Sequence, residues 1–129
     1  MTESQQVIIA MLTEQGRNNG GSYEARVGHW DGAEKSATVT GITLGTRHLL
    51  HVWYDGTNIN ARLDANGAVT PVTAGSCTNL TNQMNVGGRS NTQALNGRVF
   101  YVNTFNAELG TSARASARAF ATERTGIAT

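Results

Sequence analysis

Apolar and polar side chains alternate on both sides of a short turn near the middle of the chain, and few folds accommodate such a pattern. The segment 47–54 (RHLLHVWY) is followed by the turn 55–58 (DGTN), and in the next segment Ile59, Ala61 and Leu63 alternate with polar residues. Alternation with a period of two across a glycine turn predicts a β-hairpin. In its first strand, one face carries Leu50, Val52 and Tyr54, and the other carries Leu49, His51 and Trp53.

Further strands and one helix are predicted along the chain. The pair Asn66-Gly67 is a strong turn signal and predicts a third strand of the meander over 68–72. A helix is predicted over 113–124, capped by Ser112 and ended by Gly126, with Ala113, Ala117 and Phe120 on one face. Other strands are predicted over 5–12, 23–30, 37–40, 84–87 and 98–105, with a loop over 14–22.

Composition supports an all-β domain. Hydrophobic residues make up 39% of the 129 residues and charged residues only 15%, so Asn, Thr, Ser, Gln and Gly cover much of the surface. Fifteen glycines stand against one proline. Threonine fits a pleated strand, and glycine and asparagine accept the backbone angles of tight turns. The length fits one domain spanning residues 1–129.

Two stretches resemble the laminin G-like branch of the concanavalin A-like lectin and glucanase superfamily. The first is 48–67 (HLLHVWYDGTNINARLDANG), and the second is 84–127, where a strand and a polar loop precede Asn-Gly, an aromatic strand and a helix. This resemblance implies a jelly-roll sandwich of two antiparallel sheets with one short C-terminal helix. It implies no particular activity, because the family contains sugar binders, protein binders and structural modules.

Nucleic acid and membranes are not expected partners. The net charge is +1 without a run of Lys or Arg that could follow a phosphate backbone, and Arg114, Arg118 and Arg124 are predicted to form a solvated helix face. The N-terminal apolar run of about six residues is too short for a signal peptide or a membrane span. We therefore expect the chain to be made and folded in a cytoplasm.

Catalytic, cofactor and metal sites are not expected either. Glycoside hydrolysis needs two carboxyl groups at a fixed separation, and no such acidic run is present. Three aspartates are predicted to lie in turns, where an Asp side chain usually hydrogen-bonds to its own backbone: Asp31, Asp55 and Asp64. The alternative, in which these turn aspartates bind calcium, is less favoured. His48 and His51 should point to opposite faces of a strand and cannot share a metal. Cys77 is the single cysteine and is predicted to lie in a loop. The chain is thus predicted not to be an enzyme.

The best candidate for a ligand or partner face is the side of the hairpin that faces away from the core. It combines an aromatic ring with amide and guanidinium donors, as sugars and protein hot spots require: Leu49, His51, Trp53, Asn60 and Arg62. In the alternative that we favour, the C-terminal helix or a neighbouring subunit covers Trp53 and Leu49 as ordinary packing.

Two functions from different classes follow. Members of the resembled family usually begin with an additional strand before the segment that matches 5–12, and a missing strand would leave a sheet edge for self-association or a partner. A domain of this kind, rich in Thr, Asn and Gly, resembles a bacteriophage virion component, such as a capsid decoration or tail protein, that docks on other virion subunits. The alternative is a lectin-like module that binds cell-surface glycans.

Overall fold

A computed structural model describes residues 6–13, 17–19, 22–75, 97–105 and 110–129. In these ranges the strands are β1 (Gln6–Thr13), β2 (Arg17–Asn19), β3 (Ser22–Trp30), β4 (Glu34–Ile42), β5 (Arg47–Tyr54), β6 (Asn58–Leu63), β7 (Val72–Thr73) and β8 (Gly97–Phe105), and the helix is α1 (Thr111–Thr125).

The strands form two sheets with antiparallel pairing. One sheet has five strands in the order β7-β6-β5-β1-β8, and the other has three in the order β2-β3-β4. Strand β1 lies between β5 and β8, so that Ile9 pairs with Leu50 on one side and with Val102 on the other. The prediction of two antiparallel sheets with one C-terminal helix is confirmed.

The main core lies between the two sheets. Val39 and Ile42 of β4 pack against Leu50, Ala61 and Leu63 of the β5–β6 hairpin. A second cluster extends this layer with Ala37, Tyr54, Ile59 and Ala74. The predicted inward face of β5 is confirmed, because Leu50 and Tyr54 are buried and Val52 packs against both clusters.

Helix α1 packs on the opposite face of the five-stranded sheet. Leu49 and Ala121 form the centre of this contact, with Tyr101, Ala117 and Ile127 around them. The sheet is therefore apolar on both faces near β5, which explains why 47–54 carries large apolar side chains in both registers.

The helix differs from its prediction in two respects. Ala113 and Phe120 are exposed, and the buried positions are Ala121 and Thr125, because the small alanine side chain allows the helix to approach the sheet closely. The helix begins after Gly110 without a side-chain cap, so the predicted Ser112 cap is wrong. Its end at Gly126 is confirmed: this residue has a φ of 73° and its N–H donates to the Thr122 carbonyl over 2.8 Å.

Strand boundaries differ in three places. Within the predicted loop, β2 pairs antiparallel with the start of β3, where Asn19 pairs with Ser22. Strand β4 is longer than the predicted 37–40. Strand β7 is shorter than the predicted 68–72 and begins after Pro71, whose nitrogen has no hydrogen to donate to a ladder. The predicted strand over 84–87 and Cys77 lie outside the described residues.

Candidate functional site

The residues predicted to share an outward face lie together on the helix side of the β5–β6 hairpin. His51 pairs with Arg62 across the two strands, and Trp53 pairs with Asn60. Leu49 lies on the same face, two residues before His51. The alternation of the sequence was therefore sufficient to place all five residues on one surface.

Much of this surface is covered. Leu49 and His51 are each 1% exposed, and Leu49 packs against Ala121 of α1. Trp53 and Arg62 are half-buried. The first half of the face is thus the packing surface of the helix, and the part around Trp53 and Arg62 stays partly accessible.

Asn60 is buried, and its side chain hydrogen-bonds to the neighbouring turn. Its amide donates to Asp55 Oδ2 over 3.1 Å and to the Asn58 carbonyl over 3.0 Å. Asp55 Oδ1 also accepts from the backbone N–H groups of Thr57 and Asn58, which confirms the predicted turn aspartate. Burial acts to raise the pKa of Asp55, but these hydrogen bonds outweigh it and lower the pKa. Asn60 therefore stabilises the hairpin.

His51 lies at the centre of the face. Its ring centroid is 4.8 Å from that of Trp53, with the two planes tilted by 40°. Arg118 Nη1 lies 3.4 Å from His51 Nδ1. Because a guanidinium nitrogen only donates, Nδ1 accepts this contact and carries no proton. Burial, and to a smaller extent the positive charges of Arg118, Arg114 and Arg62, together lower the pKa of His51 from 6.5 to about 4. His51 is therefore a neutral histidine among cations.

The helix contributes two arginines that the sequence prediction placed in solvent. The Arg114 guanidinium carbon lies 5.1 Å from the centroid of the Trp53 ring, and Arg118 reaches His51. Both are half-buried against the sheet, so the prediction of a solvated face is wrong for them. Arg124 is exposed, 4.9 Å from the Phe120 ring, as predicted. Positions 114 and 118 share the helix face of Ala117 and Ala121; this spacing was visible in the sequence, but the packing direction was not.

The other two aspartates, Asp31 and Asp64, bind groups outside their own turns, which the sequence did not predict. Asp31 Oδ1 accepts from the Ala33 N–H, but Oδ2 accepts from the distant Gly75 N–H over 2.6 Å. Asp64 Oδ1 accepts from the Leu49 N–H, and Oδ2 lies 2.6 Å from His48 Nδ1. These contacts join the ends of elements rather than single turns.

The two histidines of β5 point to opposite faces, as predicted. His48 Nε2 lies 2.9 Å from the Thr43 nitrogen and accepts its hydrogen, so its Nδ1 carries the proton shared with Asp64. Within the described part of the chain, no group of three or more His, Cys, Asp or Glu side chains could hold a metal ion.

Comparison of the chain with protein-family models, curated proteins and solved structures found no match. Among the helices of the described residues, none has the length and apolar character needed to cross a membrane.

Proposed function

We propose that this chain is a non-enzymatic structural protein of a bacteriophage virion, a capsid decoration or tail protein that docks on other virion subunits and on copies of itself. The proposal includes a concanavalin A-like jelly roll of the laminin G-like type. Two antiparallel sheets that pack around a shared core support this fold, and the segments 48–67 and 84–127 carry the resemblance to the family.

The observation that carries the assembly function is the outer strand of the larger sheet. Strand β8 is nine residues long and, among the described strands, pairs with β1 alone. Long edge strands readily accept a strand from another chain. Phe100 lies on this strand and is 45% exposed, which gives the edge a large apolar side chain.

The register of β8 supports a specific contact rather than unlimited strand stacking. Tyr101 pairs with Ala10 and Val99 pairs with Met11, so Phe100 is an additional residue at a β-bulge. A bulge interrupts the hydrogen-bond ladder and limits edge-to-edge aggregation. It leaves the Phe100 ring, 4.6 Å from the Arg47 guanidinium carbon, as an anchor for a partner.

The covered hairpin face also favours assembly over sugar binding. A sugar trough needs an open aromatic surface, whereas α1 buries Leu49 and His51. Their packing under the helix uses half of the face on which a lectin function would depend.

A matched pair of variants tests the docking edge. Phe100→Asp and Phe120→Asp each place a carboxylate under an arginine, Arg47 and Arg124, and both rings are exposed to nearly the same extent, 45% and 44%. We expect wild type and F120D to self-associate in multi-angle light scattering at low micromolar concentration, and F100D to be monomeric. A monomeric wild type that does not bind purified virion subunits would contradict the proposal, as would an oligomer that F100D leaves intact.

The virion assignment has its own test in the neighbouring genes. Portal, capsid or tail genes adjacent to the gene for this chain are the expected result. A position within an operon of metabolic enzymes would contradict it.

A glycan-binding function is the second candidate, because Trp53 stays partly accessible beside Arg114. Binding on an array of diverse glycans that Trp53→Ala abolishes would favour it. Absence of binding across the array would favour assembly.

A further inference from the structure

We propose that Arg62, Arg114 and Arg118 form a binding site for a phosphate- or sulfate-type oxyanion beside Trp53. The site lies where the end of the β5–β6 hairpin meets the first turns of α1. It does not depend on the assembly function and uses different residues.

Three guanidinium groups from two elements converge on one pair of rings. Arg62 pairs with His51 across the hairpin, and Arg118 Nη1 lies 3.4 Å from His51 Nδ1. The Arg114 guanidinium carbon is 5.1 Å from the Trp53 centroid, and the Trp53 and His51 rings are 4.8 Å apart. Three positive charges therefore share a small region of surface.

Two of these arginines have donors that the described protein groups do not satisfy. Arg62 Nε is buried and has no hydrogen-bond partner among the described atoms, and its Nη2 reaches only the Ala65 carbonyl, at 3.5 Å. The contact that Arg118 makes in the described part of the chain is the long one to His51. A buried guanidinium donor is stabilised when an oxygen accepts from it, and an oxyanion supplies several such oxygens.

The nearby carboxylates of the hairpin are engaged elsewhere. Asp55 accepts from its own turn and from Asn60, and Asp64 accepts from Leu49 and His48 on the opposite side of β5. Within the described residues, neither the Arg62 nor the Arg118 guanidinium lies within salt-bridge distance of a carboxylate. The positive charge of this pair is therefore available to a ligand.

The electrostatics of the cluster point in the same direction. Burial lowers the pKa of Arg118, and the charges of Arg62 and Arg114 lower it further, so the three groups repel one another. His51 stays neutral and adds no charge. Arg114 lies in the first turn of α1, at the positive end of the helix dipole. A dianion between the guanidinium groups would relieve this repulsion.

The chemistry of the donors selects the ligand. Planar guanidinium groups bind tetrahedral oxyanions through paired N–H donors, which a single lysine does not offer. A compact cluster of three charges fits one oxyanion group. A nucleic-acid backbone, by contrast, presents a row of phosphates and requires an extended basic stripe.

The experiment measures thermal stability of the full chain with sulfate or inorganic phosphate, against sodium chloride at the same ionic strength. A ligand that binds the folded state stabilises it by RT ln(1 + [L]/Kd), so the melting temperature rises with the logarithm of the ligand concentration once this exceeds Kd. We expect both oxyanions to raise the melting temperature above that in sodium chloride. This rise should be lost in Arg118→Gln and Arg62→Gln and retained in Arg124→Gln, the exposed matched control. Arg118→Lys keeps the charge without the paired donors, and we expect it to weaken binding by about tenfold.

A second readout separates binding from general stabilisation and does not require the variants to be stable. Sulfate keeps its two charges over the acidic range, so its binding should raise the pKa of the His51 ring in an NMR titration of the wild-type protein. The His48 ring faces the other side of β5 and serves as the internal reference.

The source of the oxyanion is tested with galactose 6-sulfate and galactose. Tighter binding of the sulfated sugar than of inorganic sulfate would assign an esterified ligand that also contacts Trp53, and equal binding would assign the free ion. A melting temperature that rises equally with chloride, an Arg118→Gln response equal to wild type, or a His51 pKa unaffected by sulfate would each overturn the proposal.

Discussion

His51 lies between an indole ring and a guanidinium group, and its surroundings decide its protonation. Its pKa of about 4 lies below the ordinary value of 6.5, so the folded protein favours the neutral ring, while the unfolded chain takes up a proton near pH 6.5. Stability from this group is complete above pH 6.5 and is lost as the pH falls through that value towards 4.

We therefore expect the urea midpoint of the wild type to fall between pH 7 and pH 4.5 more steeply than that of His51→Gln. Glutamine keeps an acceptor for Arg118 and does not titrate. The pKa of Asp55 is lowered, so its contribution to stability is lost only at more acidic pH and does not affect the comparison between pH 7 and pH 4.5. Parallel midpoint curves for the two proteins would show that His51 does not control the acid response.

Residue-scale chemistry was only partly predictable from the sequence. The opposite directions of His48 and His51 follow from strand alternation and were predicted correctly. The arginine charges around His51 were not, because the helix that brings Arg118 to the ring is 67 residues away in the chain. No local pattern encodes such a contact.

At the scale of elements, Gly28 marks a close backbone approach between β3 and β4. A Cβ at this position would overlap the Lys35 carbonyl oxygen and lie 2.7 Å from Ser36 Cα. Both obstacles are backbone atoms of the paired strand, so the strands would have to separate.

We expect Gly28→Ala to destabilise the protein by about 1–3 kcal/mol, since overpacking against backbone is relieved only by moving a strand. Gly67→Ala is the control, because a Cβ there meets no atom within 4 Å. Its effect should stay within about 0.5 kcal/mol. Chemical denaturation of both variants decides the comparison, and equal stabilities would contradict the close approach.

The contact of α1 with the sheet depends on a buried leucine rather than on the larger phenylalanine of the helix. Leu49 is 1% exposed, whereas Phe120 is 44% exposed. We expect Leu49→Ala to lower the free energy of unfolding by about 2–5 kcal/mol, the usual cost of a cavity. Phe120→Ala should cost well under half as much; a larger loss from Phe120→Ala would mean that the helix packs through the other face.

The buried face of the helix shows why the packing of an element could not be predicted from the sequence alone. Positions 113, 117 and 120 were predicted to share one apolar face because they follow helical spacing. The structure instead buries Ala121 and Thr125, since two flat surfaces of small side chains approach more closely than a surface bearing Phe120. Spacing defines the possible faces of a helix, but the shape of the sheet selects among them.

For the whole molecule, we expect the position of each strand in its sheet, central or at the edge, to determine how well its amides are protected from hydrogen exchange. Strands β1 and β5 lie inside the larger sheet, while β2 and β7 are short strands at the edges of the two sheets. We expect amide hydrogens of β1 and β5 to exchange slowest with solvent, and those of β2 and β7 fastest. Hydrogen-exchange mass spectrometry with residue-level fragments measures this order, and rapid exchange in β1 would contradict the strand order.

The sequence predicted the overall architecture better than its connections. Two sheets and a final helix followed from alternation, turn residues and the resemblance to a family. The central position of β1 did not follow, because the partners Gln6 and Phe105 lie at nearly opposite ends of the chain and pair through the backbone. Backbone pairing leaves little trace in side-chain patterns when both strands are simply apolar.

This central position of β1 affects how the protein folds while it is being synthesised. The ribosome releases residues 6–13 before the other strands of this sheet, but one side of that strand stays unpaired until residues 97–105 are made, and the nearby helix follows later still. The nascent chain therefore carries an incomplete sheet, with an unpaired strand edge, for most of its translation. Synonymous codons that speed or slow elongation after residue 75 should change the yield of native protein more than the same changes before residue 54.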